Sequence, residues 1–550
     1  MATASQWKSS TLSFPAGLIL FSCALTFFYL AVLRIDYAKT SLLDLPPSPD
    51  APEYFAQAKG LLKDGWPSIR IGYDKLPSRF PAGYPALMLV WLKILPASDS
   101  ILAPFRTNQT IGLLLLLAVF GFYTYLAMQL TGGFAALLLA TLPSFFTFCR
   151  SPMSEISASA LMVLAFMFVY LGLREECRWK IYVSAVFLGL SFNIRMQLVF
   201  FAPLLLAIAL FSARGKRFRW FLHCVAVLSV FILAASPMLV LDTIQFHSPF
   251  RTGYQFWLKA PQISISRIFF IYFIPGNVAM LWREFVLRPH AYSTVNFFGT
   301  GTSFVPAFIL LISAGLSFIR LSRFVICAFL ASFTFLSMTL VFQTVDARYY
   351  LPLLMLSVAV AVLPLTWAAK SLFNGKQVVA AVGIFVLFAA ACLGYPSCSG
   401  FNTTQTDRSQ TWDALRFTTP PGRSRQFVAA QHLLKIFGSE SCIVLSDIDP
   451  VYLNALFPEH LAAAPLDGNH PYQFSPIWHY ERPEALALAK LGLAESLPVY
   501  ALFTSPAEMT SQQSRLPAVP GYEWRTVNDS DTNAVILKLA LAQSREGASR

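Results

Sequence analysis

The sequence predicts a polytopic α-helical membrane protein of about eleven transmembrane helices with a C-terminal α/β domain, and three observations carry that prediction. Hydrophobic residues make up 56% of the 550 and charged residues only 13%, about half the share usual in a soluble globule, and the mean hydropathy is +0.57. Apolar runs of spanning length recur from residue 11 to residue 395, parted by short basic turns. After Pro396 those runs shorten, histidine becomes frequent and alternating or short apolar segments suited to strands appear.

The net charge of +13 reports topology rather than a nucleic-acid partner. Residues 396–550 hold 12 Lys and Arg against 15 Asp and Glu, so the membrane part carries the whole excess. Much of it falls in short turns: Arg174, Arg178 and Lys180; Arg214, Lys216, Arg217 and Arg219; Arg320 and Arg323; Lys370 and Lys376. Placing these turns in the cytoplasm by the positive-inside rule puts the amino terminus inside and the C-terminal domain outside.

Span 1 covers residues 11–33; its apolar core is long for a cleavable signal and no small-residue cleavage site follows. The loop 34–81 is then extracytoplasmic. Residues 85–95 are too few to cross a bilayer at 1.5 Å per residue, and Trp91 and Lys93 suit a helix lying at the interface. Spans follow at 109–130, 134–149, 156–173, 181–193, 197–212 and 221–241, with Thr131-Gly132-Gly133 expected as a tight turn between the second and third. Residues 242–300 read as an outer segment whose apolar stretch, 267–281, is broken at Pro275-Gly276. Four spans remain, at 303–319, 324–343, 349–369 and 377–395. The expected domains are therefore a transmembrane domain, 1–395, and an extracytoplasmic α/β domain, 396–550, with strands at 442–447 and 534–539 and helices at 426–436 and 483–494.

The chain is organised around Asp50-Ala51-Pro52-Glu53 in the first loop. One reading is a helix start, with Asp50 as cap and Glu53 closing a capping box onto the cap's own amide. The other is a carboxylate at the membrane surface acting as a general base. The topology puts Asp50, Glu53, Arg79, Arg150, Glu155, Arg195, Asp242, Asp346 and Arg348 on the outer side. Carboxylates to remove a proton and guanidinium groups to hold a phosphate suit attack on a phosphate-linked carbon. Plainer readings exist: Arg150 and Arg195 as snorkelling helix ends, Arg348 with Tyr349 as an interfacial anchor, and Glu155 as an acid favouring a helix dipole.

Other motifs point less far. Asp447-Ile448-Asp449 follows a strand and precedes a proline, the arrangement of an ordinary turn, and two carboxylates do not complete a hard-cation shell. His432, His460, His470 and His479 lack zinc spacing. Asn108, Asn402 and Asn528 fit the glycosylation pattern, Cys398 and Cys442 could pair in the outer domain, and no Walker A loop occurs.

Four segments, in this order and on one side, resemble the membrane glycosyltransferases of the GT-C superfamily: Asp50-Ala51-Pro52-Glu53-Tyr54, Arg79-Phe80-Pro81-Ala82-Gly83-Tyr84-Pro85, Ser151-Pro152-Met153-Ser154-Glu155 and Ala347-Arg348-Tyr349-Tyr350-Leu351-Pro352. The likeness is to bacterial relatives of the dolichyl-phosphate-mannose-protein mannosyltransferases and of the lipid A aminoarabinose transferase, and it covers roughly residues 10–395. The resemblance implies a polyprenyl-phosphate-linked sugar donor and a base in the first outer loop, a role that falls on Asp50. The second acid often found directly after that Asp is Ala51 here, which leaves Glu53 as a candidate substitute. The Trp-Trp-Asp motif of oligosaccharyltransferases is absent, arguing against en bloc glycan transfer.

The expected function is an inverting sugar transfer at the outer face of the inner membrane to a lipid, glycan or protein acceptor, without metal or cofactor. Asp50 and Glu155 are the candidate catalytic residues; Glu53, Tyr54, Arg79, Tyr84, Arg150, Arg348 and Tyr349 are candidates for substrate binding. The alternative is a transporter or flippase of lipid-linked sugars; the repeated halves and broken helices that such a protein would show are few here.

Overall fold

The computed structural model describes residues 13–34, 50–201, 217–257, 269–285, 323–342, 347–372, 425–437, 440–466, 485–527 and 534–542. In chain order these form α1 (Ser13–Phe28, π-helical onward through Tyr29–Leu33), α2 (Ala51–Asp64), the hairpin β1 (Ser68–Ile71) and β2 (Asp74–Pro77), and α3 (Gly83–Ile94). The central run is α4 (Ala103–Tyr125), α5 (Gln129–Thr141), α6 (Pro143–Arg150), α7 (Glu155–Arg174), α8 (Arg178–Ile194) and α9 (Arg217–Phe246). Then come α10 (Gly253–Trp257), α11 (Ile274–Phe285), α12 (Arg323–Leu340) and α13 (Leu351–Leu372). The last part holds α14 (Arg425–Phe437), β3 (Cys442–Ser446), α15 (Pro450–Leu456), β4 (Leu461–Pro465), α16 (Ala485–Ala494), β5 (Val499–Phe503), α17 (Pro506–Gln512), β6 (Tyr522–Thr526) and β7 (Val535–Leu541).

Among the described residues four helices are long and apolar enough to cross a membrane: Pro15–Leu33, Ala97–Tyr125, Glu155–Arg174 and Phe221–Phe246. The spans expected at 303–319 and 377–395, and most of 197–212, lie outside the described residues, as do Asp346, Cys398, His470, His479, Asn402 and Asn528.

Two compact units emerge, one of Met1–Tyr37, Phe105–Leu241 and Gln262–Pro421, the other of Ala38–Pro104, Asp242–Pro261 and Gly422–Arg550. They cut the chain differently from a boundary at residue 395, because the first loop and α3 belong with the C-terminal sheet. Hydropathy locates a polar loop but says nothing of what it packs on.

The first unit is helical. Thr131-Gly132-Gly133 is not the turn expected there: it lies inside α5, and the chain reverses at Leu126–Met128 with Ala127 at φ 55°. The glycines serve packing instead. A Cβ on Gly133 would come within 2.5 Å of the Gly17 carbonyl oxygen, and one on Gly17 would collide with the Gln129 carbonyl, so α1 and α5 meet backbone to backbone. In lipid, where apolar surface gives helices little reason to associate, such small-residue contacts are a principal means of holding them together. The span expected over 134–149 is two helices, since Pro143 opens a new one at its first turn. The same rule corrects the break expected at Pro275-Gly276, where Pro275 is the second residue of α11 and starts the helix.

A proline does lie inside α9, which continues through it. Pro237 cannot donate to the Leu233 carbonyl, which accepts from Ser236 Oγ instead at 2.8 Å. One step along, Asn193 of α8 reaches in, donating to the Ala234 carbonyl at 2.7 Å and accepting from the Met238 amide at 2.9 Å. Its side-chain amide stands where the helical bond would be, the re-satisfaction that a proline inside a membrane helix requires.

The second unit is built on a five-stranded sheet, β4-β3-β5-β7-β6, parallel from β4 to β5 and antiparallel from β5 to β6. The strands and helices expected from sequence at 442–447, 534–539, 426–436 and 483–494 are β3, β7, α14 and α16 within a residue or two. β1 joins this unit through its ends: the Gly72 amide donates to the Ala463 carbonyl at 2.7 Å, and Asn454 Nδ2 to the Arg70 carbonyl at 3.1 Å. Asp449 caps α15, accepting from the Val451 amide at 2.8 Å, so the Asp-Ile-Asp sequence is the turn and cap its proline suggested. Asp447 is buried; burial and then the neighbouring Glu508 charge push its carboxyl up to about 7. Cys442 is buried inside β3.

Candidate functional site

The first constellation lies in the unit that contains α2. Asp50 occupies the N-cap position of α2, only 8% exposed, and its side chain makes no capping bond. Pro52 and Glu53 fall in the first turn as a helix start demands, and Gly65 ends the helix in the left-handed conformation that favours glycine. The capping box expected between Asp50 and Glu53 does not form. Glu53, 2% exposed, turns its carboxylate away: Oε1 accepts from Ser78 Oγ at 2.8 Å and from the Arg79 amide at 2.6 Å. Oε2 accepts from Arg79 Nε at 2.9 Å and from its terminal nitrogen at 2.8 Å. A two-pronged guanidinium with two further donors outweighs one backbone amide.

Burial alone would lower the Arg79 pKa, but the carboxylates of Glu53 and then Asp50 reverse this and hold the guanidinium above its ordinary value. The Arg79 guanidinium also lies 5.1 Å from the Phe80 ring centroid. Phe80 stacks at a tilt on Tyr54 (4.7 Å), which meets Tyr84 edge-on (5.1 Å), and Tyr254 meets Phe80 edge-on from α10 (5.7 Å). Gln57 Nε2 donates to the Phe80 carbonyl at 3.1 Å and Tyr84 Oη to the Pro104 carbonyl at 3.3 Å. Gly253 makes this closure possible, because a Cβ there would strike the Ser78 carbonyl. The expected residues Asp50, Glu53, Tyr54, Arg79 and Tyr84 thus form one packed group. Glu53 and Arg79 hold its backbone, and Asp50 stands at its edge, at the head of α2.

The second constellation lies in the helical unit. Glu155 opens α7 at 1% exposure and is ion-paired with Arg195, the residue that ends α8. Arg195 also donates to Ser154 Oγ at 3.3 Å, and its guanidinium lies 5.1 Å from the Tyr349 ring. The snorkelling reading therefore fails for Arg195, as it does for Arg150, which ends α6 at 4% exposure. Arg348 belongs to a 3-10 turn, Ala347–Tyr350, that leads into α13; its side chain lies outside the described residues. Buried charges among membrane helices are costly and mark functional sites by default.

Sequence reasoning missed Asn108. Taken as a glycosylation position, it is fully buried in α4: its Nδ2 donates to the carbonyls of Ser151 (2.6 Å) and Met153 (2.7 Å), and its Oδ1 accepts from Ser157 Oγ (3.2 Å). It fixes the non-helical link between Arg150, the last residue of α6, and Glu155, the first of α7. The available signal was an amide inside an otherwise apolar run. Asn108→Ala takes a donor from the Met153 carbonyl, leaves the Ser151 carbonyl with the Met153 amide, and is expected to destabilise the helical unit by roughly 1–3 kcal/mol, read as an earlier thermal transition in detergent.

Among the described residues no three His, Cys, Asp or Glu side chains are grouped as a metal site. No family model and no curated protein matches the chain. Its fold does have solved counterparts. The structure of ArnT from Cupriavidus metallidurans bound to undecaprenyl phosphate is similar over 98% of both chains, at TM-score 0.61 and 12% identity. The apo oligosaccharyltransferase of Archaeoglobus fulgidus matches 95% of this chain and 76% of its own, at TM-score 0.54 and 14% identity. The complex of the AglB oligosaccharyltransferase from that organism with an inhibitory peptide and a dolichol-phosphate matches 99% of this chain and 75% of its own, at 0.55 and 11%. This chain shares the fold of these proteins along nearly its whole length.

Proposed function

We propose that this protein is a glycosyltransferase that moves a sugar from a polyprenyl-phosphate donor to an acceptor hydroxyl on the extracytoplasmic side of the membrane. What supports the reading most is the likeness, along 98% of both chains, to a structure holding undecaprenyl phosphate.

The chemistry follows from the groups available. Asp50 removes the acceptor's proton as the acceptor oxygen attacks the anomeric carbon; the carbon–oxygen bond to the phosphate breaks, and the configuration inverts in one displacement. The leaving polyprenyl phosphate gains negative charge, which guanidinium groups are suited to receive. Arg150, Arg195 and Arg348 in the helical unit have that chemistry, with Glu155 positioning Arg195 and Tyr349 backing it. Arg79, committed to Glu53, positions Asp50, and Tyr54 and Tyr84 shape the surface beside it.

The test is a donor panel. Purified protein in nanodiscs is given radiolabelled polyprenyl-phosphate sugars with mixed lipid, glycan and peptide acceptors. One label is expected to appear in a new glycosidic product. Donor lipid that changes leaflet with its sugar still attached, for every donor offered, would instead identify a flippase.

A further inference from the structure

A cavity of about 380 Å³ opens where α2 and β1 pack on α15 in the second unit, and none of Asp50, Glu53, Tyr54, Arg79 and Tyr84 lines it. Four basic side chains line it, Lys59, Lys63, Arg70 and Lys75, against two acidic ones, Asp64 and Glu459. Both acids are engaged at the rim, Glu459 by Lys63 at 2.5 Å and Asp64 by Lys75 at 2.8 Å. Lys59 and Arg70 lie deeper and bond to neutral oxygens. Lys59 Nζ donates to the Ala455 carbonyl at 2.6 Å; Arg70 donates to Asn454 Oδ1 at 3.3 Å and to the Leu461 carbonyl. Arg70 Nε is buried with no hydrogen-bond partner among the described residues.

A half-buried ammonium and a guanidinium that share one cavity, neither matched by a carboxylate at bonding distance, call for an anion. Burial, then the positive charges of Arg70 and Lys63, lower the Lys59 pKa to about 8. A planar guanidinium with an unused N–H beside a compact ammonium matches the oxygens of a phosphoryl group, forked donor and point charge together. The volume exceeds what a bare ion needs and falls in the range of small-molecule sites.

We propose that this cavity is a binding site for a phosphoryl group, held by Lys59 and Arg70, with Lys63 and Lys75 at its entrance. Its source is either a lipid headgroup or a soluble phosphorylated compound. The proposal stands apart from sugar transfer, since binding is measured without turnover.

The probes are pyrophosphate and glycerol 3-phosphate, titrated calorimetrically into the full-length protein in phosphatidylcholine nanodiscs. Saturable binding is expected, weakened about tenfold or more in Lys59→Met, which keeps the apolar stem, and kept in Lys59→Arg. Lys93→Met, outside the cavity, should bind as the unaltered protein does. Affinity should fall as the pH rises through about 8, where Lys59 gives up its proton. That pH dependence tests the site even if Lys59→Met folds poorly. Competition by phosphatidic acid placed in the nanodisc assigns the site to a headgroup, and its absence assigns it to a soluble phosphate compound. Equal affinity in folded Lys59→Met, or no saturable binding by the folded parent protein, overturns the proposal.

Discussion

Asp50→Asn is expected to lower sugar transfer about 10²- to 10⁴-fold, the usual contribution of a general base, while expression and thermal stability hold. The exchange is nearly isosteric. Because the Asp50 side chain makes no capping bond, and Asn is as good an N-cap as Asp, the start of α2 has little to lose. The clamp that fixes the loop is centred on Glu53 and Arg79 and keeps all its donors. A structural role for Asp50 would therefore appear in the melting curve, and a chemical role in single-turnover transfer from the donor identified by the panel. Transfer above a tenth of the parent rate removes Asp50 as the base.

Glu53→Ala is expected to act in the opposite way, through stability first. It leaves the Arg79 guanidinium, with a side chain 17% exposed, without its bidentate partner, and strips acceptors from Ser78 Oγ and the Arg79 amide. Removing one member of a buried pair typically costs about 3–5 kcal/mol because the other charge stays buried. Glu53→Gln should cost less, since its remaining carbonyl oxygen still accepts. Adding Arg79→Leu to Glu53→Ala should recover part of the loss by removing the stranded charge. Limited proteolysis of the 50–104 segment and thermal unfolding read both effects. A Glu53→Ala protein that melts with the parent would show that the clamp contributes nothing.

These two carboxylates show how far the sequence could be read. Their position at a helix start, with Pro52 between them, was legible from residue type and spacing. Which of them would serve the backbone was not, because that choice depends on Arg79, 26 residues away, and hydropathy carries no such information. Arg150 and Glu155 were found because the topology read from the basic turns put both on the outer side, whereas Asn108 was hidden by matching a short surface motif. Gly132 and Gly133 misled for a related reason. Glycine allows both a tight turn and a close backbone approach, and only the partner helix decides between them. The actual reversal, at Ala127, uses a residue that carries no turn signal.

The contact between Gly17 and Gly133 has a consequence for the first helix as a mechanical part. With 100° between successive residues, sliding or turning α1 by a single position would bring Ala16 or Leu18 against α5, where a glycine's bare Cα now sits. The azimuth and height of α1 relative to α5 are therefore keyed by one pair of missing side chains, like a shaft in its slot.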